Sequence, residues 1–207
     1  MNERGFLPDR VTRIEGVATP DANAAAARAR TRRETAIRDH VLPVMRDVLD
    51  PESESPQLML RGALLALGRA ARTPVAPALL MVWLEKDDTG VEVREAAALG
   101  VGLLRRSEPD RFLSPEMLDA IRRKLLRLVD DRDAPEVVRA TCALSLGMLG
   151  DQPFGRGVHA EGKIVSARIW KRLGSRKTGT DLTVGLLTAL GMQPAAGVTE
   201  TMRDTLI

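Results

Sequence analysis

Apolar residues recur every three or four positions through most of the chain, and this period predicts a series of amphipathic α-helices. The clearest example follows Ser114, where apolar and charged positions fall on different faces of one helix. Its apolar positions are Met117, Leu118, Ile121, Leu125, Leu128 and Val129. Ser114 and Pro115 supply an N-cap and a first-turn proline, so proline begins helices in this chain.

The predicted helices form four pairs separated by turn signals, which indicates an all-α fold. The pairs are Glu34–Leu49 with Pro56–Ala71, Pro74–Glu85 with Val91–Arg105, Pro115–Leu128 with Pro135–Leu149, and Lys163–Leu173 with Asp181–Met192. Residues 1–33 lack a sustained apolar period and are predicted to be a flexible basic N-terminal arm. Residues 34–207 are predicted to be one array of helix pairs. Thr199 and the residues after it resemble the start of another helix, so the chain ends either in a short cap or, as we favour, inside a longer array.

The second helices of these pairs repeat one another. Asp88 and Arg94 align with Asp133 and Arg139 at an offset of 45 residues, and Arg61 takes the arginine position in the first pair. A repeat of two helices every 34 to 45 residues is typical of a helical solenoid, because one pair cannot bury its apolar face alone. An arginine six residues after a turn aspartate can bond along the stack and cap a helix. We therefore interpret these five residues as structural.

The turn aspartate followed by a Val-Arg pair resembles the HEAT repeat family, including its bacterial phycobilisome-lyase-like branch. The resemblance covers about residues 34–192. It implies a right-handed α-solenoid of about four helical hairpins, whose second helices line a concave face that holds a protein partner. The function it implies is a non-catalytic protein–protein interaction scaffold. The same branch leaves open a lyase-like accessory to a chromophore protein.

Charge raises a different alternative. Residues 1–33 contain seven Arg and four acidic residues, and the remaining 24 basic and 24 acidic residues cancel, so the net charge of +3 lies in the arm. A neutral body argues against a nucleic-acid-binding domain with a basic face. Two basic segments, 28–33 and 163–177, nevertheless keep open a nucleic-acid-associated module. The candidate surface for an anionic partner consists of Lys163, Arg168, Lys171, Arg172, Arg176 and Lys177.

Composition and motifs argue against an enzyme. Three Phe, two Trp and no Tyr are too few aromatics for a β-sandwich, and a single Cys excludes a disulfide framework. Gly157–Lys163 matches half of a P-loop, but Ile164 replaces the magnesium-binding hydroxyl and no strand precedes it. His159 and Glu161 lack the cysteines of a zinc deaminase. We expect no cofactor, no metal, no membrane segment and a cytoplasmic location.

Overall fold

The computed structural model describes residues 20–50, 52–70, 75–104, 113–150, 167–174 and 178–193. Every regular element in these ranges is helical, which confirms the all-α prediction for this part of the chain. The elements are α1 (Pro20–Ala36), the π-helix η1 (Ile37–Val41), α2 (Leu42–Val48), α3 (Gln57–Ala70), α4 (Val75–Glu85), α5 (Val91–Leu103), α6 (Pro115–Asp130), α7 (Glu136–Gly150), α8 (167–173) and α9 (Thr180–Gly191).

The chain divides into two compact units, the first ending at Ala36 and the second beginning at Ile37. In the first unit, α1 begins at Pro20, so residues 20–33 of the predicted arm are helical. The alanine-rich sequence favours this helix by propensity alone, because its described side chains are all exposed. Residues 1–19 of the predicted arm lie outside the described residues.

The predicted first helix, Glu34–Leu49, is interrupted rather than continuous. Residues Ile37–Val41 form a π-helix, and α2 begins at Leu42 with Pro43 in its first turn. Proline has no backbone N–H and cannot donate to the carbonyl four residues before it. A π-helical turn is one way in which a helix accommodates such a break.

In the second unit, α3, α5, α7 and α9 lie side by side in that order, and we call them the row. The preceding helices pack onto the row, with α2 on α3, α4 on α3 and α5, and α6 on α7. One apolar core runs through these contacts. Its largest fully buried side chains include Leu64, Trp83, Leu84, Leu118, Leu125, Leu146 and Leu149.

Small residues allow the row helices to approach closely, and the same contact occurs three times. Gly68 faces Gly100, Gly102 faces Ser145, and Gly147 faces Ala189. A β-carbon added at any of these three glycines would collide with the facing helix. The row therefore depends on backbone-to-backbone packing that larger side chains would prevent.

None of the described helices is long and apolar enough to span a membrane.

Candidate interaction surface

Two buried arginines cap the helices that precede the row. Arg94 Nε donates to the carbonyl of Leu84 at 3.1 Å, and Arg139 Nε and Nη2 both donate to the carbonyl of Val129 at 3.1 Å. Those carbonyls lie in the last turns of α4 and α6, where a helix has no internal donors left. Donor and acceptor both repeat at an offset of 45 residues, so pairs two and three use one device.

The turn aspartates have a different role from the one that their spacing suggests. Arg94 Nη1 lies 3.0 Å from Asp87 Oδ1, and Asp88 is exposed. Asp133 is also exposed, and its backbone N–H donates to Asp131 Oδ1 at 3.0 Å. The repeated arginines therefore act on backbone carbonyls and, in pair two, on the residue before the aligned aspartate.

Burial lowers the pKa of Arg139 from its usual value, and the nearby positive charge of Arg172 lowers it further. Glu136, Asp131 and Asp130 act in the opposite direction. A guanidinium stays protonated under such shifts, so Arg139 remains a charged donor to the end of α6. Its fixed charge also suits the negative end of the α6 dipole.

Arg61 does not belong to this ladder, and the row contacts show why. Gly68 and Gly102 make equivalent contacts, which places α3 at an offset of 34 residues from α5. Arg61 and Arg94 are 33 residues apart, so buried Leu60 occupies the arginine position and Arg61 is exposed. The motif-based alignment was one residue out of register in the first pair.

A tryptophan replaces the arginine in the first pair. Trp83 Nε1 donates to the carbonyl of Leu49, directly after α2, at 2.9 Å. Trp83 is buried on α4, so the donor belongs to the second pair. Sequence reasoning identified Trp83 only as a packing residue, because a bond across 34 residues leaves no periodic signal.

The exposed side of the row forms the candidate interaction surface, which we call the row face. Its four helices contribute side chains at equivalent positions, related by offsets of 34, 45 and 44 residues. The central band is Leu65, Leu99, Leu144 and Thr188, followed one turn later by Arg69, Leu103, Met148 and Met192. The first turns contribute Leu58, Glu92, Val137 and Asp181. The leucines and methionines of the central band are half-buried, so their apolar atoms remain accessible to a partner.

Comparisons with family models, with curated proteins and with solved structures find no match for this chain.

The basic segment 163–177 is only partly described. Lys163, Arg176 and Lys177 lie outside the described residues. Arg168 is exposed and lies 3.9 Å from Asp130 Oδ2, and Lys171 is also exposed. Arg172 is half-buried, and its buried Nε makes no hydrogen bond. The described basic side chains on α8 therefore share their surroundings with the acidic end of α6.

The described residues offer little for catalysis. They contain no group of His, Cys, Asp and Glu side chains that could hold a metal ion. Cys142 is fully buried, and burial raises the pKa of its thiol to about 12, which keeps it protonated and unreactive at neutral pH. His159, Glu161 and the P-loop-like segment lie outside the described residues.

A groove of about 490 Å³ lies between α2, α3 and α4. Leu42, Pro43, Leu67 and Leu79 supply apolar walls, and Arg38, Arg46 and Asp47 supply charges. Arg38 Nε donates to Asp39 Oδ1 at 2.8 Å, and this bond lowers the pKa of the Asp39 carboxyl. These charges do not converge on one point, so the groove presents no arrangement for acid–base chemistry.

Proposed function

We propose that this protein is a non-catalytic interaction scaffold of the cytoplasm, built from HEAT-like helix pairs arranged as a right-handed α-solenoid. The observation that carries the proposal is the row face, in which side chains at equivalent positions of four parallel-ordered helices form one accessible aliphatic band. Repeat arrays use such extended surfaces to bind partners. The row face is the candidate partner site.

The row is well suited to hold its surface in place. The glycine contacts fix the spacing between row helices, and the arginine caps fix each row helix to the helix before it. A surface that is ordered before binding loses less conformational entropy when a partner docks. A rigid row therefore supports the scaffold role.

Charge on the row face narrows the chemistry of the partner. Exposed Glu92 and half-buried Glu95 lie on α5, whereas Arg61 and Arg69 lie on α3. An amphipathic partner segment that places apolar side chains on the leucine band, with basic residues over α5 and acidic residues over α3, fits this pattern.

The test is a quantitative pull-down with a variant of the row face. Leu99→Lys with Leu144→Lys puts charge on the band, and the lysine stems still cover apolar surface, which limits the effect on folding. Val82→Lys is the matched control, because Val82 is an apolar residue of α4 with 46% exposure. Helical circular dichroism and thermal melting check that both variants fold.

We expect the double variant to lose at least tenfold in recovery of a near-stoichiometric protein partner, with Val82→Lys unchanged. Nuclease treatment and moderate salt should leave that partner bound. Equal recovery by wild type and the double variant would contradict the row face as the binding site. Bilin absorbance in the captured fraction would favour the chromophore-protein accessory.

One observation favours the nucleic-acid alternative. Arg28 and Arg32 are both exposed and lie four residues apart on α1, so they share one face of a helix. Binding through these residues would fall steeply with salt, and Arg28→Gln with Arg32→Gln would reduce the salt slope. Fluorescence titration with a labelled duplex at several salt concentrations measures that slope.

A further inference from the structure

The glycine contacts of the row imply a fourth contact that remains open. Gly191 of α9 corresponds to Gly147 at an offset of 44 residues, just as Gly147 corresponds to Gly102 at 45. Each of the earlier glycines faces the next row helix. A β-carbon added at Gly191 would meet no atom within 4 Å in the part of the chain that the structure describes. The outer side of α9 therefore has the form of a row contact without a helix against it.

The other end of the row presents the receiving side of the same contact. Gly100, Ser145 and Ala189 receive the glycines inside the row, and Ala66 of α3 corresponds to Gly100 at an offset of 34 residues. One turn earlier, a β-carbon added at Gly62 would also meet open space among the described residues. The outer side of α3 is thus small and accessible where another row helix would approach.

Both ends expose apolar side chains to a degree that the interior of the row does not. Leu187 of α9 is 55% exposed, whereas Ala143, the corresponding residue of α7, is fully buried. Val184, also on α9, is 59% exposed, and Met59 on the outer side of α3 is 53% exposed. Apolar surface of this kind, at two separate ends of one molecule, is typical of a contact surface.

Charge favours contact between unlike ends. Helix α3 carries Arg61 and Arg69 and no acidic residue, whereas α9 carries Asp181 and no basic residue. Two α3 ends would place like charges together, and so would two α9 ends. An α9 end facing an α3 end would bring Asp181 towards the arginines.

We propose that a second copy of this chain docks head to tail, with the outer side of α9 in one copy against the outer side of α3 in the next. Gly191 lies against Ala66 of the next copy, and Leu187 is covered by Met59 and Gly62. The contact uses the ends of the row and not the row face, so it is separate from the proposed function. A contact of this type does not close on itself and adds copies in one direction.

The interface is the size of one helix-to-helix contact, which is small for a specific complex. We therefore expect weak association, with a dissociation constant on the order of 10–100 µM. In sedimentation equilibrium of the full chain, the average mass should rise from monomer near ~5 µM to beyond dimer near ~500 µM. It should show no plateau at two copies.

Two variants separate the ends. Leu187→Glu disables the α9 end, and Met59→Glu disables the α3 end; both residues are more than half exposed, so neither change buries a charge. Each variant alone should remain monomeric over the same range. An equimolar mixture should form a dimer and stop there, because each variant keeps the end that the other has lost. Val82→Glu is the matched control and should associate as the wild type does.

A second measurement does not depend on the glutamate variants. Asp181→Arg should weaken association at least threefold, and Asp181→Arg combined with Arg61→Asp and Arg69→Asp should restore it. A monomeric wild type at ~500 µM would overturn the proposal, since α9 would then be covered by something other than a second copy. A Leu187→Glu or Met59→Glu protein that dimerises alone, or a mixture that stays monomeric, would overturn it as well.

Discussion

The first helix pair and the next two meet the same requirement in different ways. In pairs two and three, an arginine of the row helix donates to the end of the helix before it, at Leu84 and at Val129. In pair one the donor to Leu49 is Trp83, which belongs to pair two. Pairs two and three therefore cap themselves, whereas pair one depends on its neighbour. What recurs is the need of a buried carbonyl for a donor, and the residue that meets it can change.

Replacing Trp83 should produce the largest loss of stability, because its indole both fills the core and makes the bond to Leu49. Trp83→Ala should lower the free energy of unfolding by about 3–5 kcal/mol. Trp83→Phe keeps most of the apolar contact but leaves the Leu49 carbonyl without this donor, so the loss should be about 1–3 kcal/mol. Denaturant unfolding measures both values.

Trp170→Phe is the matched control, since Trp170 is half-buried on α8. It should change stability by less than about 0.5 kcal/mol, as peripheral substitutions usually do. If Trp83→Phe proved as stable as the wild type, the bond to Leu49 would not be the tie between pairs one and two.

The self-capped pairs should respond to loss of their arginines. Arg94→Met and Arg139→Met keep the apolar stem and remove the charged donor, so each should lower the free energy of unfolding by about 1.5–3 kcal/mol. Arg61→Met removes an exposed arginine outside the ladder and should stay within about 0.5 kcal/mol of wild type. A loss at Arg61 equal to that at Arg94 would show that all three pairs share one cap, against the register seen here.

The sequence predicted pairs two and three well because their signals are local. Helix starts at Ser114-Pro115, the apolar period and the repeat of Arg94 at Arg139 depend on residues near one another in the chain. The sequence could not predict Trp83 bonding to Leu49, because that contact joins residues 34 positions apart. It also misplaced Arg61, since the connection between α2 and α3 shifts the repeat by one residue and only the glycine contacts reveal the shift.

The row face lay within reach of the same reasoning but was not assigned to particular residues. Leu99 and Leu144 share the 45-residue offset of the arginines. Their positions could therefore have been read as one band. Which side of each helix remains accessible depends on how neighbouring row helices pack, and Gly102 and Gly147 determine that packing.

The smallest effect should come from the ion pair of Arg94 with Asp87. The Asp87 side chain is 87% exposed, so water and salt screen its attraction to the guanidinium. Asp87→Asn should lower the free energy of unfolding by about 0.2–1 kcal/mol at low salt and by less in ~1 M NaCl. Asp88→Asn is the adjacent control and should have no measurable effect, because Asp88 is exposed and the printed partner of Arg94 is Asp87.

Comparing Asp87→Asn with Arg94→Met separates the two bonds of one guanidinium. If the buried bond to the Leu84 carbonyl carries most of the stabilisation, the arginine variant should cost several times more than the aspartate variant. Salt should then reduce only the smaller loss. Equal losses for the two variants would instead assign the stabilisation to the turn ion pair, and the distinction between self-capped pairs and the tryptophan-capped pair would rest on surface charge and not on the buried ends of α4 and α6.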